Sequence, residues 1–228
     1  MKTAPSLGLT LLFITATLPL RAAEPPPPPE AVAVAAEKAP EIDGELDDAL
    51  WLAASSQPGA ALTGWKHLAS GKHPARLAPQ QRITYLAWDD EALYIGMQAY
   101  VADLAHLRSD QGGNPFLGDC LEVHLNVPGR EYFQFGVDFE GKTALGTAAP
   151  GTDGEAVRAA TAMGDQFWTA ELAIPWKILG VKPEKGMRLG LALSANHASQ
   201  DGTPGVMTHL HWGRAFNARK TTSNLLLQ

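Results

Sequence analysis

The stretch Asp119-Cys120-Leu121-Glu122-Val123-His124-Leu125-Asn126-Val127, followed by Tyr132-Phe133-Gln134-Phe135-Gly136-Val137-Asp138-Phe139, decides the fold. Leu121, Val123, Leu125 and Val127 alternate with Cys120, Glu122, His124 and Asn126. In the second segment Phe133, Phe135, Val137 and Phe139 alternate with Tyr132, Gln134, Gly136 and Asp138. A period of two sends successive side chains to opposite faces, so each segment reads as a strand with one apolar face and one polar face. Pro128-Gly129-Arg130 is short enough to join them as an antiparallel hairpin.

The same period extends outward along the chain. In residues 92–101, Leu93, Ile95, Met97, Ala99 and Val101 share one face, and Tyr94, Gly96, Gln98 and Tyr100 the other. Further strands are expected at 81–88, 142–147, 155–162, 166–174, 187–196 and 208–213. Two short helices are expected, at 46–53 after Asp43-Gly44 and at 176–179, where Pro175 can sit at a helix start. Residues 55–80 carry no clear pattern, and a loop of that length is usually functional or mobile. Many short strands with one or two short helices predict an all-β fold, a jelly-roll-like antiparallel β-sandwich, as a single domain over residues 31–228.

Lys2, an apolar stretch over residues 7–20 broken by Pro19, and Arg21-Ala22-Ala23 form the pattern of a secretory signal peptide over residues 1–23, cleaved after Ala22 or Ala23. The competing reading, a membrane anchor, asks a short run to cross a hydrocarbon core of ~30 Å. Residues 24–30 contain the run Pro25 to Pro29, a linker that is either a polyproline II spacer or a plain disordered terminus. Export predicts a secreted or periplasmic protein, free of the membrane once the peptide is cut. Without residues 1–23 the chain carries 16 Lys and Arg against 24 Asp and Glu, which does not suit a nucleic-acid groove. The single Cys120 excludes an internal disulfide and any multi-thiolate metal cluster. A chain of this length can bury about 70% of its unfolded surface, so a monomer held by packing alone is expected.

Several landmarks stand in order along the chain. Ile42-Asp43-Gly44, Leu46-Asp47-Asp48 and Trp51 precede Ala87-Trp88-Asp89-Asp90-Glu91-Ala92-Leu93-Tyr94-Ile95. Phe116 then stands before Gly118-Asp119-Cys120-Leu121-Glu122-Val123, and Tyr132-Phe133-Gln134-Phe135 follows. Trp168-Thr169-Ala170-Glu171-Leu172-Ala173-Ile174-Pro175-Trp176, Lys185-Gly186 and Trp212-Gly213 close the series. Taken together this resembles the family 9 carbohydrate-binding modules across nearly all of residues 31–228.

The resemblance implies a sugar-binding sandwich, often attached to secreted glycoside hydrolases and sometimes carrying structural calcium. It also implies that two aromatic rings clamp a terminal sugar, here Phe116 and Phe216. Glu122 matches the family's hydroxyl-binding carboxylate, Asp119 opens the same strand, and Gln134 on the neighbouring strand could reach the same ligand. Such chemistry is sound: pyranose C–H faces pack on rings, while hydroxyls need planar polar partners. Three positions depart from the pattern. The clamp residues are Phe rather than Trp, the position that often carries Arg falls on Gly136, and Ser223 replaces a Gly.

Trp51, Trp88, Trp168 and Trp176 fit core positions, whereas Trp65 reads as core or ligand platform. His124, a lone His beside a carboxylate, is expected to be a satisfied surface group. His209 and His211 would share one strand face, as many metal sites require, but no third ligand is evident and exposed histidines are the better reading. Asp43, Glu45, Asp47 and Asp48 are expected to cap the following helix; the alternative is calcium, with Asp43 and Asp47 as its candidates.

The function expected is a secreted, non-catalytic domain that recognises mono- or oligosaccharide ends in polysaccharide catabolism, with a secreted glycoside hydrolase as its protein partner. One alternative is a glycoside hydrolase, which needs two carboxylates about 5 to 9.5 Å apart across a cleft. Asp119 and Glu122, three apart, start on opposite strand faces, and no nucleophile elbow, zinc helix or phosphate loop is present. Another is a haem-bearing sandwich with an axial Met, although Met97 reads as core filler. The last is a structural envelope sandwich whose sugar site has decayed.

Overall fold

A computed structural model describes residues 30–57, 61–62, 67–68, 82–101, 103–109, 114–130, 132–148, 150–197, 206–210 and 223–228; at 61–62, 67–68, 197, 206–210 and 223 it describes the backbone alone. In chain order the elements are β1 (Glu30–Ala35), α1 (Ala49–Ser55), β2 (Ala61–Leu62), β3 (His67–Leu68), β4 (Arg82–Trp88) and β5 (Ala92–Tyr100). Next come β6 (Cys120–Asn126), β7 (Tyr132–Asp138), β8 (Thr143–Leu145), β9 (Arg158–Met163) and β10 (Phe167–Pro175). The chain ends with α2 (Trp176–Leu179), β11 (Arg188–His197), β12 (Val206–Leu210) and β13 (Ser223–Leu227).

The strands make an all-β sandwich. One sheet has the order β8-β7-β6-β11-β13-β1, with β12 and then β3 continuing from the later half of β11. The other runs β1-β4-β5-β10-β9, with β2 on the edge of β4. The shared strand β1 pairs parallel with β13 over Glu30 to Ala33, then crosses to pair parallel with β4 at Val34 and Ala35. These two pairings are parallel, and the remaining described pairings are antiparallel, as the hairpin at Pro128-Gly129-Arg130 predicts.

Alternation places the apolar sets face to face. Leu121, Val123, Leu125, Phe133, Phe135 and Val137 of the first sheet meet Leu93, Ile95, Met97, Trp168, Leu172 and Ile174 of the second in one core. Burying each such side chain stabilises the fold by about 1.5–3 kcal/mol, so the two patterned strand sets supply the main driving force for assembly. Trp88, Trp168 and Trp176 join this core. Met97 is fully buried within it.

Trp51 is buried as well, but on the outside of the second sheet, where α1 packs on β4 and β1 and Trp51 reaches Gly96 of β5. Gly96 makes room for it: a β-carbon there would come within 2.8 Å of Leu46 Cδ2 and 3.2 Å of Trp51 Cε3. Glu171, on the outward face of β10, is the anchor. It accepts the Trp51 indole N–H at 2.7 Å and the backbone N–H groups of Gly44 and Asp43 at 2.9 and 3.1 Å. Thr169 donates its hydroxyl to the Gly44 carbonyl at 2.6 Å. Gly44 has φ +95°, and any side chain there would meet the backbone of Thr161. The Asp43-Gly44 and Trp51 landmarks thus have a structural cause: they strap one segment to the outside of the sandwich.

The expected capping of the helix is not what the acidic turn does. α1 begins at Ala49, and Asp48 at its N-cap makes no side-chain capping bond; its Oδ2 accepts the Glu41 N–H at 2.9 Å instead. Asp43 Oδ1 accepts the Glu45 N–H at 2.9 Å, which closes a local turn. Among the described residues no group of three or more His, Cys, Asp or Glu side chains converges as a metal site would require.

Candidate functional site

The polar faces of β6, β7 and β11 form one surface on the outside of the first sheet. Register places Glu122 between Gly136 on β7 and Ser194 on β11, His124 between Gln134 and Ala192, and Cys120 between Asp138 and Asn196. On β12, His209 is in register with Ser194.

Glu122 is the hub of this surface. Its Oε1 accepts from Asn196 Nδ2 at 2.6 Å, and its Oε2 accepts from Gln134 Nε2 at 3.1 Å and lies 3.1 Å from His124 Nε2. A carboxylate only accepts, so His124 Nε2 carries a proton toward Glu122, and His124 Nδ1 lies 2.7 Å from the Tyr132 hydroxyl. Burial, and secondarily the Glu122 charge, raise the Tyr132 hydroxyl well above the usual phenol range, which keeps it protonated. Glu122 is only 3% exposed and His124 is fully buried, so the expectation of a surface histidine is overturned. The reason is that the outward face of β6 is itself covered, and His124 is held between a carboxylate and a phenol.

Phe116 belongs to a 3-10 turn over Pro115–Leu117, opened by Asn114, whose side chain accepts the Phe116 N–H at 3.1 Å. Its carbonyl accepts from Asn196 Nδ2 at 3.0 Å, so one amide ties the turn to Glu122. The ring is half-buried and lies on Gly136: a β-carbon at 136 would stand 2.5 Å from Phe116 Cε1. Gly136 therefore does more than drop a cation, because it opens the space that the ring fills.

Two polar atoms beside the hub, Ser194 Oγ and Asn196 Oδ1, are buried without a hydrogen-bond partner among the described residues. An unmet buried group costs about 1–3 kcal/mol, a cost that a ligand hydroxyl at this place would remove. Cys120 lies on the same face, 3.5 Å from Asn196 Nδ2. Burial first, and the nearby Glu122 second, push its thiol far up, so it is an inert neutral group.

Of the five residues picked from the sequence, Phe116, Glu122 and Gln134 come together. Asp119 is placed elsewhere: it precedes β6, its Oδ2 accepts the Arg108 N–H at 2.9 Å, and its charge acts on Arg82. Burial lowers the Arg82 guanidinium to about 10, with Asp119 opposing the shift, and the group stays cationic at neutral pH. Phe216 lies outside the described residues, as do Trp65, Trp212 and His211. Asn196 and Ser194 were missed. Their alternation with Leu193 and Ala195 sets them on a polar face, but only the pairing of β11 with β6 brings that face to Glu122.

Two structures of a carbohydrate binding module family 9 (CBM9) from Caldicellulosiruptor kristjanssonii, in complex with cellotriose and with glucose, are similar, each at TM-score 0.66 and 18% identity. They cover 87% of this chain and 93% and 95% of theirs. A putative carbohydrate-binding protein from Bacteroides uniformis is similar at TM-score 0.60 and 10% identity, covering 88% of this chain and 100% of that one. These likenesses are of fold. Among the curated proteins, none matches this chain. The family described as "Carbohydrate family 9 binding domain-like" matches over residues 42–217, from the Ile42-Asp43-Gly44 strap through the β11 strand that carries Asn196, and the chain belongs to that family.

Proposed function

We propose that this chain is a secreted, non-catalytic domain that binds the end of a neutral saccharide on the outer face of its first sheet. One observation carries the reading: Glu122, Gln134, Asn196 and the Phe116 turn are joined in a single hydrogen-bonded group, with Ser194 Oγ and Asn196 Oδ1 left to be satisfied. Glu122 and Gln134 meet hydroxyls, Phe116 offers a ring to a C–H face, and Phe216 is the second ring that the resemblance implies. Asp119, turned to Arg108 and Arg82, steadies the end of β6. The cellotriose and glucose complexes of the Caldicellulosiruptor module support gluco-configured ends as the first ligands to try. Residues 1–23 direct export, and a secreted glycoside hydrolase is the enzyme such a domain would serve.

A limited contact area predicts dissociation constants in the micromolar to millimolar range, about −4 to −8 kcal/mol. Calorimetric titration with cello-oligosaccharides and a panel of monosaccharides tests the proposal. A second reading, a structural sandwich with a decayed site, is favoured by the 3% exposure of Glu122 and by the protein donors on both its oxygens. It predicts no heat with any sugar from a fully folded sample.

A further inference from the structure

The opposite side of the sandwich carries a cavity that the Glu122 face does not use. Between α1 with the turn before it and the strands β4 and β5 lies a space of about 280 Å³. Its walls include Asp47, Asp48, Trp51, Leu52, Tyr85 and Gln98. That volume is just under the ~300–1,000 Å³ of ordinary small-molecule pockets, so a single ring fits and an oligomer does not.

The cavity is rigidly founded. Glu171 holds Trp51 and the Asp43-Gly44 turn, and Gly96 lets Trp51 and Leu46 lie flat on the sheet. Leu52 is 77% exposed at its rim. Two residues beyond Gln98, on the same face of β5, Tyr100 is 45% exposed and meets Phe167 edge-on at 6.4 Å. An aromatic and aliphatic wall thus continues out of the cavity along the sheet.

Charge selects the ligand. Among the described residues no Lys or Arg lines the cavity, and residues 37–48 hold Glu37, Glu41, Asp43, Glu45, Asp47 and Asp48 against Lys38 alone. The contrast with Glu122 is direct. That carboxylate is met by three side-chain N–H groups and suits neutral hydroxyls, whereas Asp48 receives one backbone N–H and Asp47 is exposed. Carboxylates beside a tyrosine ring attract a cation with a C–H surface, and Gln98 in the same lining adds a partner for hydroxyls.

We propose that the cavity between α1 and β4–β5 binds a protonated amino sugar, one glucosamine-type ring, independently of the Glu122 site. The ammonium sits between Asp47 and Asp48, the C–H face lies on Tyr85, and Gln98 takes a hydroxyl.

The test is a resonance-shift titration of the isotope-labelled protein with D-glucosamine, N-acetylglucosamine and glucose, at mildly acidic pH and low salt. Glucosamine is expected to shift the backbone signals of residues 47–55, 85 and 98 saturably, with N-acetylglucosamine and glucose far weaker. Asp47→Asn, at an exposed position, should weaken glucosamine by about threefold or more, and added salt should do the same. Glu122→Gln should leave that response unchanged, so failure here is separable from failure of the Glu122 site. Equal response to the three sugars, no saturable shift at these residues, or loss of the shift in Glu122→Gln overturns the proposal.

Discussion

Glu122 shows how one side chain can be read half from a sequence and half from coordinates. Its outward direction follows from Leu121 and Val123 on either side, and both lie in the core. Its burial does not follow, because Asn196 is 74 residues away and only the register of β6 with β11 delivers it. Replacing Glu122 with Gln swaps one acceptor oxygen for an N–H₂ that faces donors from Asn196, Gln134 or His124. Since hydrogen bonds to charged groups are worth about 1.5–3 kcal/mol, sugar affinity is expected to fall by about 10- to 100-fold, read by calorimetry. Gly136→Ala is a subtler probe. The ring of Phe116 must leave its place on the sheet, so the variant should lose about 1–3 kcal/mol in chemical denaturation and bind sugar with altered affinity.

At the scale of elements, the anchor between Glu171 and the strap over Asp43, Gly44 and Trp51 makes a pH-dependent prediction. Burial raises the Glu171 carboxyl above the usual carboxylate value of 4.5, and the hydrogen bonds from Gly44, Trp51 and Asp43 oppose this only in part. The folded state therefore holds this proton more tightly than the unfolded chain. Between pH 4.5 and the raised value the fold binds more protons, so the Glu171 contribution to stability declines as pH rises through that window. Thermal melting should show this slope, and Glu171→Gln should flatten it. The same variant turns an N–H toward donors and should cost about 1–3 kcal/mol at neutral pH. The landmark words around 42–51 and 168–176 were visible in the sequence, but their joint purpose was not. An acidic turn before a helix suggests capping, and the competing acceptor sites of a folded strap decide otherwise.

For the whole molecule, alternation was enough to give the sandwich, because a period of two survives without knowledge of partners. β4, β5, β6, β7, β10 and β11 lie within a residue or two of their expected bounds. The strands β1 and β13 were not foreseen. Short, weakly patterned runs such as 30–35 and 223–227 become strands only because two sheets offer them open edges. Their parallel pairings explain the miss, since local hairpin signals cannot announce a partner at the other end of the chain. As β1 belongs to both sheets, deleting residues 30–35 should abolish the single cooperative unfolding transition, seen as loss of near-ultraviolet dichroism while strand content persists.

The central claim is that the Glu122 face binds a neutral sugar end. Titrating cellotriose into the protein and into its Glu122→Gln variant, with both shown to be folded, tests it most directly. Saturable heat from the unsubstituted protein with a micromolar to millimolar dissociation constant, weakened about 10-fold or more in the variant, is the predicted result. Equal binding by both proteins, or no binding of cellotriose or any other neutral sugar by the unsubstituted one, would contradict it.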